Sequence, residues 1–143
     1  KLRGDDIRLM ISLEMLGCYS DLAGSQHYPP FLKYFYPDRA DFIAFVSNLR
    51  SRRMLRGFAA AFRANSDFPA EHLATWALVP GVAWSDHLSF WRESYPALMA
   101  TDTAFYRYPY YHTALDTAER LDYRRFARVT DGLYRALAAL SGG

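Results

Sequence analysis

The chain has 143 residues, 51% of them hydrophobic, 17% aromatic and 22% charged, with a net charge of +2. This is the length of one domain with enough apolar material for a core, which excludes a disordered or strongly charged chain. The single cysteine, Cys18, excludes an intrachain disulfide and a thiolate zinc site.

The first residues, Lys1 to Asp6, show neither an initiator methionine nor a signal-peptide pattern, so the chain reads as part of something longer. No segment has the roughly 18 consecutive apolar residues of a membrane span. The compartment stays open, and a periplasmic or secreted parent is compatible with the sequence.

Ile7 to Leu16 is nearly all apolar, with Ile7, Leu9, Ile11 and Leu13 alternating against Arg8, Met10, Ser12 and Glu14. The pattern predicts a buried strand whose polar side opens at its end. Gly17 then releases the chain into the stretch Cys18 to Asp41, where Gly24, Pro29, Pro30 and Pro37 lie among aromatic residues. A connection this long is a functional loop or an insertion.

Phe42 to Leu49 reads as a second strand, and Ser51 to Ala64 as a helix with Met54, Phe58, Ala61 and Phe62 on one face. Arg50, Arg52, Arg53 and Arg56 fall on that helix with no nucleic-acid-binding motif beside them, so they read as a solvated face rather than a nucleic-acid footprint. Ala74 to Val79 is expected as a short strand stopped by Pro80-Gly81, Asp86 to Ser94 as a short helix, and Pro96 to Thr101 as a further strand. Asp122 is placed to cap a last helix carrying Phe126, Val129, Leu133 and Leu137 at helical spacing, after which Ser141-Gly142-Gly143 should fray. Alternating strands and helices imply an α/β layered domain.

Three places carry candidate chemistry. Glu14 stands near the C-terminal end of an apolar strand, where open α/β sheets place ligands, and a carboxylate there calls for a metal or an arginine. His112 lies in an irregular tyrosine-rich loop, with Tyr108, Tyr110 and Tyr111 before it and Asp116 four residues on. Imidazole is a common zinc ligand, and a nearby carboxylate can hold its other ring nitrogen. Ser85, Asp86 and His87 form either part of a site or a helix start capped by Ser85. Ser, Asp and His are all present, but no Gly-x-Ser-x-Gly elbow accompanies them, and no glycine-rich phosphate loop occurs.

In order and spacing, three segments resemble the co-catalytic zinc exopeptidases of metallopeptidase family 28, which include leucyl aminopeptidases, glutamate carboxypeptidase and glutaminyl cyclase. Ile11-Ser12-Leu13-Glu14-Met15-Leu16-Gly17 resembles the strand whose acidic residue binds one metal. Trp84 to Trp91, followed by Tyr95-Pro96-Ala97-Leu98-Met99, resembles the substrate-side segment. Tyr110 to Thr117, ending in Leu121-Asp122, resembles the last ligand loop.

The resemblance implies a partial mixed sheet flanked by helices, the C-terminal part of an α/β/α exopeptidase domain. It implies Glu14 and His112 as metal ligands, Tyr111 as a donor to the oxyanion, and Asp86 as a residue that orients a ligand or catalytic carboxylate. Asp116, Ser85 and His87 are expected beside the site or on its substrate side. The cofactor implied is zinc, two ions in the parent enzyme, and the substrate a peptide or aminoacyl compound cleaved at its N-terminus.

Two departures qualify that expectation. Glutamate stands at position 14 where the family more often has aspartate. The upstream His-x-Asp pair and adjacent Glu-Glu pair of the family are absent, so residues 1–143 read as the C-terminal half of a peptidase domain whose N-terminal half is a missing partner. Alone it is expected neither to cleave aminoacyl substrates nor to retain zinc tightly, and its uncovered surfaces invite self-association. The alternatives are a non-catalytic remnant and, with less support because Tyr111 stands where the cyclases have tryptophan, a glutaminyl cyclase.

Overall fold

The computed structural model describes Gly4 and residues 6–142. Its elements in chain order are β1 (Met10–Glu14), β2 (Ile43–Asn48), α1 (Arg52–Asn65), β3 (Ala70–Thr75), α2 (His87–Arg92), β4 (Ala97–Thr101) and α3 (Tyr123–Ser141), with short 3-10 turns between. The strands form one mixed sheet in the order β1-β4-β2-β3, antiparallel only between β4 and β2. The expected α/β layering with a mixed sheet is thus observed.

Because strand side chains alternate, the register divides the sheet into two faces. Ile43, Phe45, Leu98 and Ala100 point to one face, which is covered by Leu55, Phe58, Ala59 and Phe62 of α1 and Val129, Leu133 and Ala136 of α3. Each large side chain buried there contributes about 1.5–3 kcal/mol from apolar transfer. Phe45 meets Phe58 and Phe62 edge-on, at centroid distances of 5.0 and 5.1 Å.

The other face carries two cross-strand rows, Ser12–Met99–Val46–Leu73 and Glu14–Thr101–Ala44–Glu71. Among the described residues, α2, packed on β1 and β4, and irregular loops cover it.

Several expectations need correction. The first strand, Met10–Glu14, is shorter than Ile7–Leu16, and among the described residues it pairs only with β4, leaving Leu13 58% exposed. The expected strand Ala74–Val79 lies instead at Ala70–Thr75, and Trp76 to Val79 is a turn. Glu71 and His72 interrupt the apolar pattern, but backbone pairing with β2 sets the strand.

On α1 the buried stripe includes Leu55 and Ala59 in place of Met54, while Arg50, Arg52, Arg53 and Arg56 are exposed as expected. Asp122 caps α3 by accepting from the Arg125 amide at 3.0 Å. Ser141 belongs to that helix, and Gly142, at φ 87°, ends it in the left-handed turn glycine favours. Gly143 lies outside the described residues.

Candidate functional site

The sparsely covered face of the sheet opens into a cleft of about 930 Å³, counting its solvent-open part. Ala44, Val46, Met99 and Thr101 form its floor, and Glu14 and Glu71 stand at opposite ends of one floor row. The walls are loops: Gln26 to Tyr36, Val79 to Ser85, and Thr103 to Tyr111. One wall is aromatic, with Trp84 stacked on Phe105 at 5.3 Å and Phe105 against Tyr111 at 5.9 Å. Gly81 lies tight against this wall: at φ 86° it takes a conformation suited to glycine, and a Cβ there would sit 3.3 Å from the Phe105 ring.

Glu14 ends β1, and the chain turns sharply at Met15, whose φ is 46°. The Ser85 hydroxyl donates to Glu14 Oε1 at 2.5 Å and in turn accepts from the Ser12 hydroxyl. One hydroxyl proton per serine fixes that direction, so the relay runs from Ser12 through Ser85 to a single carboxylate oxygen. Oε2 accepts nothing from the described residues, which leaves it available to a cation. Ser85, expected either as a cap or beside the substrate, is therefore the residue that orients Glu14.

Tyr111 is half-buried and lines the cleft. The ring of His112 lies flat on it, with centroids 3.9 Å apart. His112 itself is exposed, adopts φ 57°, and makes no side-chain hydrogen bond within the described residues. Left-handed backbone at a non-glycine residue is uncommon, and here it accompanies an exposed imidazole stacked on Tyr111.

Asp116 does not hold that imidazole, because its Oδ1 accepts from the Tyr108 hydroxyl at 2.9 Å. Asp86 is exposed at the start of α2 and makes no capping bond with its side chain. His87 is fully buried against Trp91 and pairs its Nε2 with the Val82 carbonyl at 2.7 Å, outside the cleft lining. Burial pushes its pKa down, so the ring is neutral and Nε2–H donates.

A buried polar frame positions these parts, and the sequence reading missed it. Asp102, 0% exposed, follows β4 and accepts from the amides of Gly17, Cys18 and Ala104 at 3.1, 2.8 and 2.9 Å. Burial raises its pKa against the opposing pull of those donors. Arg107 spreads from the same loop to Gln26, Thr103 and the carbonyls of Cys18, Ala40 and Phe42. Together they tie the long Cys18–Asp41 connection to the end of β4. Cys18 itself is buried, its thiol pushed up to about 12 by desolvation, which makes it a poor nucleophile.

The described residues bring together Glu14, Ser85 and Tyr111 around one cleft, with His112 outside its lining and stacked on Tyr111. They gather no group of three His, Cys, Asp or Glu side chains able to hold a metal ion. The donor set therefore fits part of a zinc site, since a catalytic zinc takes about three protein ligands.

Comparison with known proteins agrees with this partial character. The model of the peptidase family M28 matches residues 2–137. The uncharacterised protein YfbL of Escherichia coli is 44% identical over 132 residues, covering 92% of this chain and 41% of that protein. Two crystal structures of LapA from Legionella pneumophila, one described as an aminopeptidase, superpose with TM-scores of 0.64 at 19% identity. They cover 92% of this chain but only 31% and 30% of LapA. The chain thus spans less than half the length of the relatives it matches.

Proposed function

This chain belongs to peptidase family M28, and from that premise we propose that it forms one wall of the active site of a zinc aminopeptidase. The observation that carries the reading is the Ser12–Ser85–Glu14 relay in the cleft lining, because it fixes a carboxylate that pairs with no cation among the described residues. Glu14 and His112 would contribute to a metal centre whose other ligands come from the rest of the protein. Zinc bound there supplies Lewis acidity and a water of lowered pKa.

This chain's residues have separable tasks. The cleft takes the side chain of the substrate's N-terminal residue between the sheet floor and the aromatic wall. Tyr111, whose hydroxyl is unengaged in the described residues, donates to the scissile carbonyl oxygen as negative charge grows on it. Ser85 holds Glu14 in one rotamer. No residue described here is assigned as general base.

The test is zinc content and hydrolysis of aminoacyl amides by the full-length protein. Glu14→Ala and His112→Ala are each expected to reduce retained zinc, while Tyr111→Phe should retain zinc and lower kcat by about 100-fold. Full zinc retention by both ligand variants would sink the assignment.

A further inference from the structure

We propose that Glu71 makes this cleft selective for substrates whose N-terminal residue has a basic side chain, arginine ahead of lysine. The inference deepens the aminopeptidase reading and rests on it. Glu71 belongs to the same cross-strand row as Glu14, with Thr101 and Ala44 between them. Three interstrand steps put the two ends of the row about 14 Å apart. The residues between are small, so the floor stays low along its length. A substrate whose α-amino end lies near Glu14 would have its side chain run along this row, and the stem of arginine or lysine is long enough to bring its cationic end to Glu71.

The electrostatics favour a cation at that end. Two carboxylates line the cleft, and no lysine or arginine does among the described residues. Glu71 is half-buried, and withdrawal from water raises its pKa. Arg63 offsets this only in part, because its guanidinium is committed to the Ala70 carbonyl and His72 Nδ1. A desolvated carboxylate without a close cation is costly, and a ligand that supplies one recovers that cost.

The surroundings suit an arginine. Tyr28 and Tyr36, stacked on each other at 6.0 Å, line the same cleft within the field of Glu71, and tyrosine rings are common neighbours of a planar guanidinium. Val46 and Leu73, in the neighbouring floor row, offer apolar contact to the methylene stem. A leucyl side chain would stop short of Glu71 and gain nothing from it, so the selection is the difference between a paired and an unpaired carboxylate.

The experiment compares full-length wild type with Glu71→Gln on arginyl, lysyl and leucyl amide substrates. A second arm measures calorimetric binding of L-argininamide and L-norleucinamide to the metal-stripped full-length protein. Wild type is expected to prefer the arginyl substrate in kcat/KM, and Glu71→Gln to lose about tenfold or more of that preference, mostly in KM, with leucyl hydrolysis unchanged. L-Argininamide binding should weaken by a similar factor in Glu71→Gln, with L-norleucinamide unaffected.

Hydrolysis that proceeds with no arginyl preference, or with a preference indifferent to Glu71→Gln, overturns the inference and leaves the aminopeptidase reading standing. Absence of all aminoacyl hydrolysis with Glu71-dependent L-argininamide binding overturns the activity instead and keeps the basic-side-chain site. Loss of both signals overturns both.

Discussion

Replacing Arg107 with methionine should release the Cys18–Asp41 loop from the sheet. The guanidinium donates to five acceptors, at 2.8 Å to Gln26 Oε1, 3.0 Å to the Phe42 carbonyl, 3.1 Å to Thr103 Oγ1, 3.2 Å to the Cys18 carbonyl and 3.4 Å to the Ala40 carbonyl. It also lies over the rings of Phe42 and Tyr19, at 4.7 and 5.6 Å.

Methionine matches the stem and removes every donor, so the Cys18 and Phe42 carbonyls lose this partner, Ala40 keeps only the Ser20 amide, and Asp102 loses a counter-charge. Charge-assisted bonds are worth about 1.5–3 kcal/mol singly, but five that share one group do not add. Breaking a buried charged centre costs about 3–5 kcal/mol, the figure that applies here. For a domain of this size that is a fall in Tm of about 10 °C.

Urea unfolding of the full-length protein, with amide exchange at Ser20, Gln26 and Ala40, measures the global and local parts of the effect. Arg107→Lys should restore little, because an ammonium cannot span the same acceptors. A loss under about 1 kcal/mol in Arg107→Met, with loop amides still protected, would refute the view that this residue holds the loop down.

Two further substitutions probe the core. Gly132→Ala places a Cβ 2.7 Å from Phe62 Cε2 and 2.7 Å from Ser66 Oγ, where α3 crosses α1. Overpacking of about 1–3 kcal/mol should outweigh the gain of about 0.8–1 kcal/mol in helix propensity, so the variant melts lower; a higher Tm would show that the helices separate freely. His87 is held neutral when folded, whereas the unfolded chain protonates near its ordinary value of 6.5. Its contribution is therefore full above that value and lost as pH falls below it, by up to about 1.4 kcal/mol per unit until the folded pKa is reached. His87→Gln keeps a donor for the Val82 carbonyl without titrating, so its stability should fall less steeply than wild type below pH 6.5; equal slopes in urea midpoints across that range would refute this.

What the sequence discloses depends on the range of the forces involved. β4, α1 and α3 were readable because apolar residues recur at strand or helix spacing and Asp122 supplies its own cap. Glu14 was readable because an acid at the end of an apolar strand is locally anomalous. That β1 pairs only with β4 among the described residues was not readable, since the same alternation serves a strand with one neighbour or two. Arg107 and Asp102 reach partners more than 60 residues away, and no local pattern announces such bonds. Glu71 lies before the strand expected at Ala74–Val79, and its place in the row with Glu14 exists only after the strands have paired.

The same long-range frame accounts for the strain beside the cleft. Met15, Thr103, Ala104 and His112 all take positive φ, at 46°, 75°, 46° and 57°. Three of them follow β1 and β4, parallel strands whose C-terminal ends open together at the cleft. Such conformations cost of order 1–3 kcal/mol each in unfavourable cases and persist only where surrounding bonds over-determine them. Here the bonds are identifiable: the Asp102 amide donates to the Met15 carbonyl at 2.7 Å, and its carboxylate accepts from Gly17, Cys18 and Ala104. The helix-packed face of the sheet supplies stability, and Asp102 conveys it to the turns that set Glu14 and the Thr103–Tyr111 wall. Loosening that knot should alter cleft geometry before it unfolds the sheet, so in Arg107→Met the KM for aminoacyl substrates should rise at temperatures well below the melting transition.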